Sequence, residues 1–382
     1  MIEDIIKAVK NENVKIIRFK FVDISGKMYA MSTTQKNLRN VLKNGISFDS
    51  SSIPNFSQIF ESDMRIFPDL ETFRVLPYER KEASFICDIK YPNKKPYEKC
   101  TRTLLKDKIK AIEYNYIIKP ELEYFLIRDD EPLDKNYYMD TSFEELGHKI
   151  TEEIVLFMES IGIEIEKFHH ENGRGQYEIE FSPGNAILMA DAIILFKEIS
   201  KRIANKYDIQ ISFLPKPFPN EPGTGMHFHQ ALVKNGKNVF YDKGLTEFGK
   251  KFISGQLKHA PALTRILNPT ENSYERILGG KEAPRYICWG YSNRSTLIRV
   301  PSSGKIEIRS PDPSCNPYLA FSALLEAGFS GKEEIPPVQE NIYSFSQEKL
   351  RKYKIKELPG SLKESEEELK KDTLFKNFLK YF

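Results

Sequence analysis

The sequence predicts an α+β protein made of two unequal units. Three observations lead there. A chain of 382 residues exceeds what one ordinary core organises. Its N-terminal part alternates apolar and charged residues as strands do, and ends at a proline-containing break. Beyond that break, strong helical stretches are interleaved with short strands that carry carboxylates or histidines on one face.

The elements follow in order. The first residues form an amphipathic helix with acidic side chains. They lack the basic start and apolar middle of a signal peptide. From Lys15 to Val22, Ile17, Phe19 and Phe21 point one way while Arg18 and Lys20 point the other. Ser25 and Gly26 mark a turn, and Lys27 to Ser32 is the returning strand. A helix covers Gln35 to Leu42, an irregular serine-rich loop spans Phe48 to Ile53, and strands resume from Glu82 to Ile89. The stretch from Tyr91 to Pro96 then closes the small unit, which predicts domains at 1–97 and 98–382. A helix from about Thr101 opens the larger domain, with further helices at Leu146 to Ile161 and Ala186 to Tyr207.

Four strands of that domain carry the chemistry. Glu121 and Glu123 share a face because side chains alternate with period two. Glu178 and Glu180 do the same, opposite Tyr177, Ile179 and Phe181. His227 and His229 form a third pair, and Lys305, Glu307 and Arg309 lie together on a strand whose Ile306 and Ile308 are apolar. Taken singly, each reads as a half-solvated antiparallel strand. Taken together, they describe one sheet with a polar concave surface. Carboxylates in such a place need positive charge. Divalent cations supply it, and the separate arginines suit phosphate or carboxylate.

Composition narrows the class. Charged residues make up 29% and the net charge is +3, so there is no basic field for nucleic acid. The most apolar stretch, Ala186 to Phe196, is interrupted by Asp191 and is too short to span a bilayer. Cys87, Cys100, Cys288 and Cys315 have no metal-type spacing and read as reduced thiols of a cytoplasmic protein. Mostly oxygen ligands with one or two imidazoles favour Mg²⁺ or Mn²⁺. Mg²⁺ with several arginines is the equipment of phosphoryl transfer. No P-loop is present, so a nucleotide must be held on the sheet by metal and arginines.

At this point the motifs resemble a known family. Phe48–Ile53, Glu61–Met64 with Pro68 and Asp69, Pro120–Leu126, His169–Glu178, Pro215–Pro217, Gly223–Gln230, Glu282–Pro284, Asn293–Ser295, and Ile306–Pro313 with Asn316–Ala320 occur in the order found in type I glutamine synthetases. The resemblance covers nearly the whole chain. It implies a small β-grasp-like N-terminal domain and a large catalytic domain with a curved antiparallel sheet flanked by helices. It also implies ligation of ammonia to the side-chain carboxylate of glutamate through γ-glutamyl phosphate, with ATP as the second substrate.

The same resemblance assigns roles. Glu123, Glu171 and Glu178 would hold a metal near glutamate, and Glu121, His227 and Glu307 one near the nucleotide phosphates. Arg294 and Arg299 would meet ATP phosphates, and His229 would touch nucleotide or support His227. Arg309 would hold the reacting carboxylate, Arg276 the α-carboxylate and the Gly223 backbone the α-amino end. Asp49, Ser52, Tyr138 and Glu171 would bind ammonium, with Asp49 as the base, and Glu282 would sit on a closing flap. Tyr343 stands where some relatives are adenylylated.

Departures from the family leave alternatives open. Pro222 replaces a usual asparagine and Ser50 a usual glycine. A γ-glutamyl-amine ligase using an organic amine, or a non-catalytic nitrogen-sensing paralogue, are the competing functions. The resemblance implies a homo-oligomer, a hexameric ring with Asp49 and Ser52 facing the next subunit. Since the sequence stops at Phe382, soon after Leu374–Leu379, a weakened dodecamer is expected.

Overall fold

The alternation after Lys15 produces a strand, and its apolar face closes a small core. The structure is a computed structural model that describes residues 1–78, 81–279 and 283–382. Helix α1 (Ile2–Asn11) precedes β1 (Ile16–Val22), β2 (Met28–Thr33), α2 (Gln35–Asn44), β3 (Ile46–Asp49), β4 (Asp63–Pro68), β5 (Arg74–Leu76) and β6 (Glu82–Lys90). The strands form one sheet in the order β2-β1-β6-β4-β3, with β5 joined to β6. β1 and β6 run parallel, whereas β1–β2, β3–β4 and β4–β6 are antiparallel. Ile17, Phe19 and Phe21 pack with Leu38, Val41 and Phe85. The serine-rich stretch departs from the expected irregular loop. Phe48 and Asp49 end a strand paired with Asp63 and Met64, and Ser50–Ser52 form one 3₁₀ turn. A strand of four residues, with two apolar side chains, is too short for periodicity to reveal.

The larger unit begins with α3 (Thr101–Lys110) and β7 (Asn115–Arg128). Then come β8 (Glu131–Pro132), α4 (Leu146–Ser160), β9 (Ile165–His170), β10 (Gln176–Phe181), β11 (Gly184–Asn185), α5 (Ala186–Ala204) and β12 (Gln210–Ser212). β13 (Met226–Lys234), β14 (Lys237–Asn238), α6 (Glu247–Lys258), α7 (Ala260–Leu267) and α8 (Glu271–Gly279) follow. The last elements are β15 (Trp289–Tyr291), β16 (Ile298–Val300), β17 (Ile306–Ile308), α9 (Pro317–Phe329), α10 (Gln347–Lys352) and α11 (Leu362–Lys371). The curved sheet runs β15-β16-β17-β13-β7-β10-β9, with β8, β11 and β12 on β7 and β14 on β13. Its apolar face (Leu122, Tyr124, Ile179, Phe228, Ile306) shares one core with Ile193 and Phe196 of α5 and Phe321 and Leu324 of α9. Edge-on ring contacts seal it, Phe228 to Phe321 at 4.8 Å and Phe181 to Phe196 at 5.6 Å. Helices therefore cover one face, and the polar face is turned away from them. Among the described residues, no helix is long and apolar enough to cross a membrane.

Charge joins the two units. Arg102 reaches Asp191 of α5 with two bonds of 2.9 and 2.8 Å, and Asp69 and Asp88 of the first unit at 3.0 and 2.8 Å. Tyr318 donates to the same Asp191 at 2.5 Å. Glu82 takes Arg18 of its own sheet at 2.6 Å and Arg202 of α5 at 3.3 Å. Asn316 caps α9 through Tyr318 N at 3.0 Å while its amide donates to Ile24 O at 3.0 Å, fixing the β1–β2 turn. A Cβ at Gly26 in that turn would lie 3.1 Å from Asn316 Cα, and Gly26 has φ +83°, so glycine serves both close approach and backbone there.

Two predictions follow from these pairs. Arg102→Met leaves Asp191 buried without its guanidinium and should cost about 3–5 kcal/mol in urea unfolding. Glu82 behaves differently with pH. The Arg18 hydrogen bond acts against burial and lowers its pKa from 4.5 to about 2. A depressed folded pKa gives stability that is present above pH 4.5 and lost as pH falls toward 2. Glu82→Gln should thus destabilise by about 1–2 kcal/mol at neutral pH, since both arginines are partly solvated. That difference should shrink through the acid window in thermal melts.

Candidate active site

Strand register assembles the site. Arg299 of β16 stands opposite Glu307 of β17, and Glu307 opposite His229 of β13. His227 pairs with Glu121 of β7, and Glu121 with Glu180 of β10. Glu123 pairs with Glu178, and Glu178 with His169 of β9. Period two turns all these side chains to the polar face. That face is not solvated. Glu178 is 6% exposed, His227 8%, His229 6% and Glu307 0%.

One group collects around Glu121 and Glu307. His229 Nε2 lies 2.7 Å from Glu121 Oε1, while His227 Nδ1 is 3.5 Å from Glu121 and 3.9 Å from Glu307. Arg299 donates to Glu307 at 2.6 Å, and Arg309 Nε is 3.3 Å from it. Donor atoms of Glu121, His229 and Glu307 all fall within 4.8 Å of one another. His229 thus belongs with the group that also includes His227. Burial acts to raise the Glu121 pKa, but contacts with His227 and His229 outweigh it and hold the carboxyl below its usual range. Burial first, then the Arg309 charge, keeps His227 below an ordinary histidine against the pull of Glu121 and Glu307.

The second group is Glu123, Glu171 and Glu178, of which Glu171 and Glu178 bring donor atoms within 4.8 Å of one another together with His169. Burial, then the charges of Glu171 and Glu178, push Glu123 well above the carboxylate range. Burial and the charges of Glu121 and Glu171 do the same to Glu178. His169 borders it, 3.6 Å from Glu178 and 3.8 Å from Glu171, and Tyr138 meets the His169 ring edge-on at 5.3 Å. The sequence reading missed Gln176. Its amide donates to Glu123 Oε2 at 3.0 Å and to Gly223 O at 3.1 Å, which ties this carboxylate to the glycine. The signal was available, since Gln176 shares parity with Glu178 and Glu180.

Arg276 is 4% exposed and donates to Ser310 O at 2.7 Å and to Arg309 O at 3.3 Å. A Cβ at Gly225 would sit 2.8 Å from His227 Nε2, 3.0 Å from Arg276 Nη2 and 3.0 Å from Glu123 Oε1. Glycine therefore keeps open the space where these groups converge. Glu221 accepts from Arg174 Nε at 2.7 Å, which fastens the residue just before Pro222 and Gly223.

The remaining residues lie elsewhere. Asp49 is exposed on the first unit, where its carboxylate accepts from Ser51 Oγ at 2.6 Å and Ser52 Oγ at 2.8 Å. Those bonds, Ser51 first, lower its pKa. The Ser50 side chain is buried instead, bonded to Ser57 Oγ at 2.5 Å and Ser62 O at 2.9 Å, so this departure is absorbed inside the loop. Arg294 has an exposed side chain and its carbonyl accepts from Arg309. Tyr343 donates to Ala283 O at 2.7 Å. Glu282 lies outside the described residues.

The donor sets fit divalent cations. Glu123 and Glu178 are crowded by like charge, Glu307 Oε1 lacks a hydrogen-bond partner, and a Cβ would fill the opening at Gly225. An α+β chain with a six-stranded sheet beside an eleven-stranded one, the latter carrying two carboxylate groups among arginines, defines a metal-dependent nucleotide enzyme class. Comparison makes this specific. Residues 98–381 match the family model "Glutamine synthetase, catalytic domain", and residues 13–92 match "Glutamine synthetase, beta-Grasp domain". A glutamine synthetase of Methanocaldococcus jannaschii is 41% identical over 99% of this chain and 91% of its own. Among solved structures, a GmaS–ADP complex superposes with TM-score 0.91 at 24% identity, over 99% of this chain and 93% of that one. Plasmodium falciparum glutamine synthetase gives 0.87 at 24%, over 100% and 92%. The chain belongs to the glutamine synthetase family.

Gly225→Ala tests the opening at the site. The displaced groups are side-chain ends, so the fold should survive with little change in melting temperature. Mn²⁺ affinity, read by calorimetry, should fall by about tenfold or more.

Proposed function

We propose that the chain joins glutamate to ammonia at the expense of ATP, giving glutamine, ADP and phosphate. One observation carries this reading: the cross-strand lattice that sets Glu121, Glu123, Glu178, Glu307 and two histidines together with Arg299, with Arg309 3.3 Å from Glu307 and Arg276 converging with Glu123 and His227 at Gly225. Glu123, Glu171 and Glu178 would hold one divalent cation and Glu121, His227 and Glu307 the other, with His229 beside the second set. Mg²⁺ or Mn²⁺ there supplies positive charge against phosphate oxygens.

The residues then divide the work. Arg276 anchors the α-carboxylate, and the Gly223 backbone lies at the α-amino end. Arg309 holds the side-chain carboxylate, which attacks the terminal phosphorus of ATP and displaces ADP. Arg294 and Arg299 face the phosphates. The product, γ-glutamyl phosphate, turns a poor leaving group into a good one. Tyr138, Glu171, Ser52 and Asp49 receive ammonium, and Asp49 removes its proton. Ammonia adds to the acyl carbon, and phosphate departs. Glu282 would close the site against water, which would otherwise hydrolyse the acyl phosphate. The Ser50 side chain is turned into its loop, which supports an ammonium set built without it.

Asp49 and Ser52 come from a neighbouring copy in this reading. Two apolar side chains on the same segment, Ile59 at 85% and Phe60 at 84% exposure, support a covered surface there. A ring, six copies by family likeness, supplies it.

The test is ADP release and product analysis with glutamate, Mg²⁺ and ATP across ammonium and a panel of organic amines. Glutamine from ammonium is expected, and preference for an alkylamine would overturn the reading. Asp49→Asn should lower ammonia-dependent turnover by about 10²–10⁴-fold while ATP binding persists. Mixing it with an inactive Glu307→Gln chain should restore part of the activity, because mixed rings contain intact shared sites. Absence of restoration, with mixed rings seen by native mass spectrometry, would place Asp49 within its own subunit's site.

A further inference from the structure

The segment after β8 carries Tyr138, and the loop between β9 and β10 carries Glu171. Neither is regular structure, yet the proposed amine pocket needs the two at a fixed separation. A single buried carboxylate spans them. Asp134, with a side chain 5% exposed, accepts through Oδ1 from His170 Nε2 at 2.9 Å, from Gly175 N at 2.9 Å and from Asn136 N at 3.1 Å. Its other oxygen accepts from Tyr177 OH at 2.9 Å. Asp134 thereby grips both ends of the loop that holds Glu171, and the first residues of the segment that holds Tyr138.

His170 passes this restraint on. It is fully buried, and its Nδ1 lies 2.7 Å from the Glu171 carbonyl oxygen. Glu171 N donates to Gln176 O at 2.7 Å, so the Glu171 backbone is pinned on both sides. Met139 N donates to His170 O at 3.0 Å and pulls the Tyr138 segment onto the same histidine. Glycine is needed at 175, where φ is +66° and a Cβ would lie 2.8 Å from Leu133 N.

We propose that Asp134, acting through His170, is a positioning residue that sets Tyr138 against Glu171 and so tunes amine capture, leaving nucleotide binding alone. The inference rests on the reading of Tyr138 and Glu171 as amine-pocket residues. No hydrogen bond or ion pair of Asp134 goes to Arg276, Arg299, Arg309 or Glu307 among the described residues. Its loss should therefore act on the amine pocket that Glu171 serves and not on ATP.

Asp134→Asn is the test. The amide keeps the size but replaces one acceptor with a donor, so His170, Gly175 and Tyr177 can no longer all be served. The ammonium KM should rise by about tenfold or more, while the ATP KM stays within about twofold of wild type. Tyr177→Phe removes one bond to Asp134 without touching the loop, and should shift the ammonium KM the same way by a smaller factor. It serves as the readout if Asp134→Asn does not fold. An unchanged ammonium KM in the folded variants overturns the proposal. So does a parallel rise in the ammonium and ATP constants with a lowered melting temperature, which marks a structural role alone. A wild type that releases no ADP with glutamate and ammonium overturns the ligase reading as well, and that control is separate from the variants.

Discussion

Concentrated negative charge inside a protein is the constraint on which this structure depends. The polar face of β7, β10, β13 and β17 buries carboxylates in adjacent strand positions, where desolvation and mutual repulsion both oppose ionisation. The chain answers this demand unevenly. Glu180 receives Lys119 at 2.5 Å and Lys167 at 2.6 Å and is neutralised from within. Glu123 and Glu178, one strand position away, have no lysine or arginine in salt-bridge contact among the described residues. The contrast separates a carboxylate neutralised by the chain's own lysines from two that are not.

The sheet tolerates this because its other face is secure. Leu122, Tyr124, Ile179, Phe228 and Ile306 are fully buried against α5 and α9. Apolar burial of that extent holds the strands in register, and register sets which acid faces which base. A slip by one residue would turn Glu121 and Glu123 into the helical layer and Leu122 onto the polar surface. The chemistry is therefore anchored by residues that take no part in it.

Residues outside the strands need other restraints. The Glu171 loop is held by hydrogen bonds to Asp134 and Gln176, and the Gly223 stretch by Gln176 and by the Arg174–Glu221 pair. The first unit is fastened through Arg102, Glu82 and Asn316, whose partners lie in both units. Asp49, by contrast, makes its side-chain hydrogen bonds within its own turn, which leaves its carboxylate free to face another molecule.

The sequence by itself determined the period-two pairs Glu121 and Glu123, Glu178 and Glu180, His227 and His229, because alternation is a local property of an extended chain. It determined the long helices α4 and α5 as well, because their apolar periodicity is also local. It also carried the ordered motifs by which the chain resembles its family. Only the tertiary structure decided that the polar strand faces are buried, since burial depends on what covers a sheet and not on its own residues. Only it revealed β3, whose four residues gain their pairing from β4. The turn of Ser50 into its loop and the link from Gln176 to Gly223 were likewise beyond the sequence. So was the grip of Asp134 on His170, 36 positions away. Such contacts join residues distant in the chain, and their partners are chosen by packing and register, which no local pattern encodes.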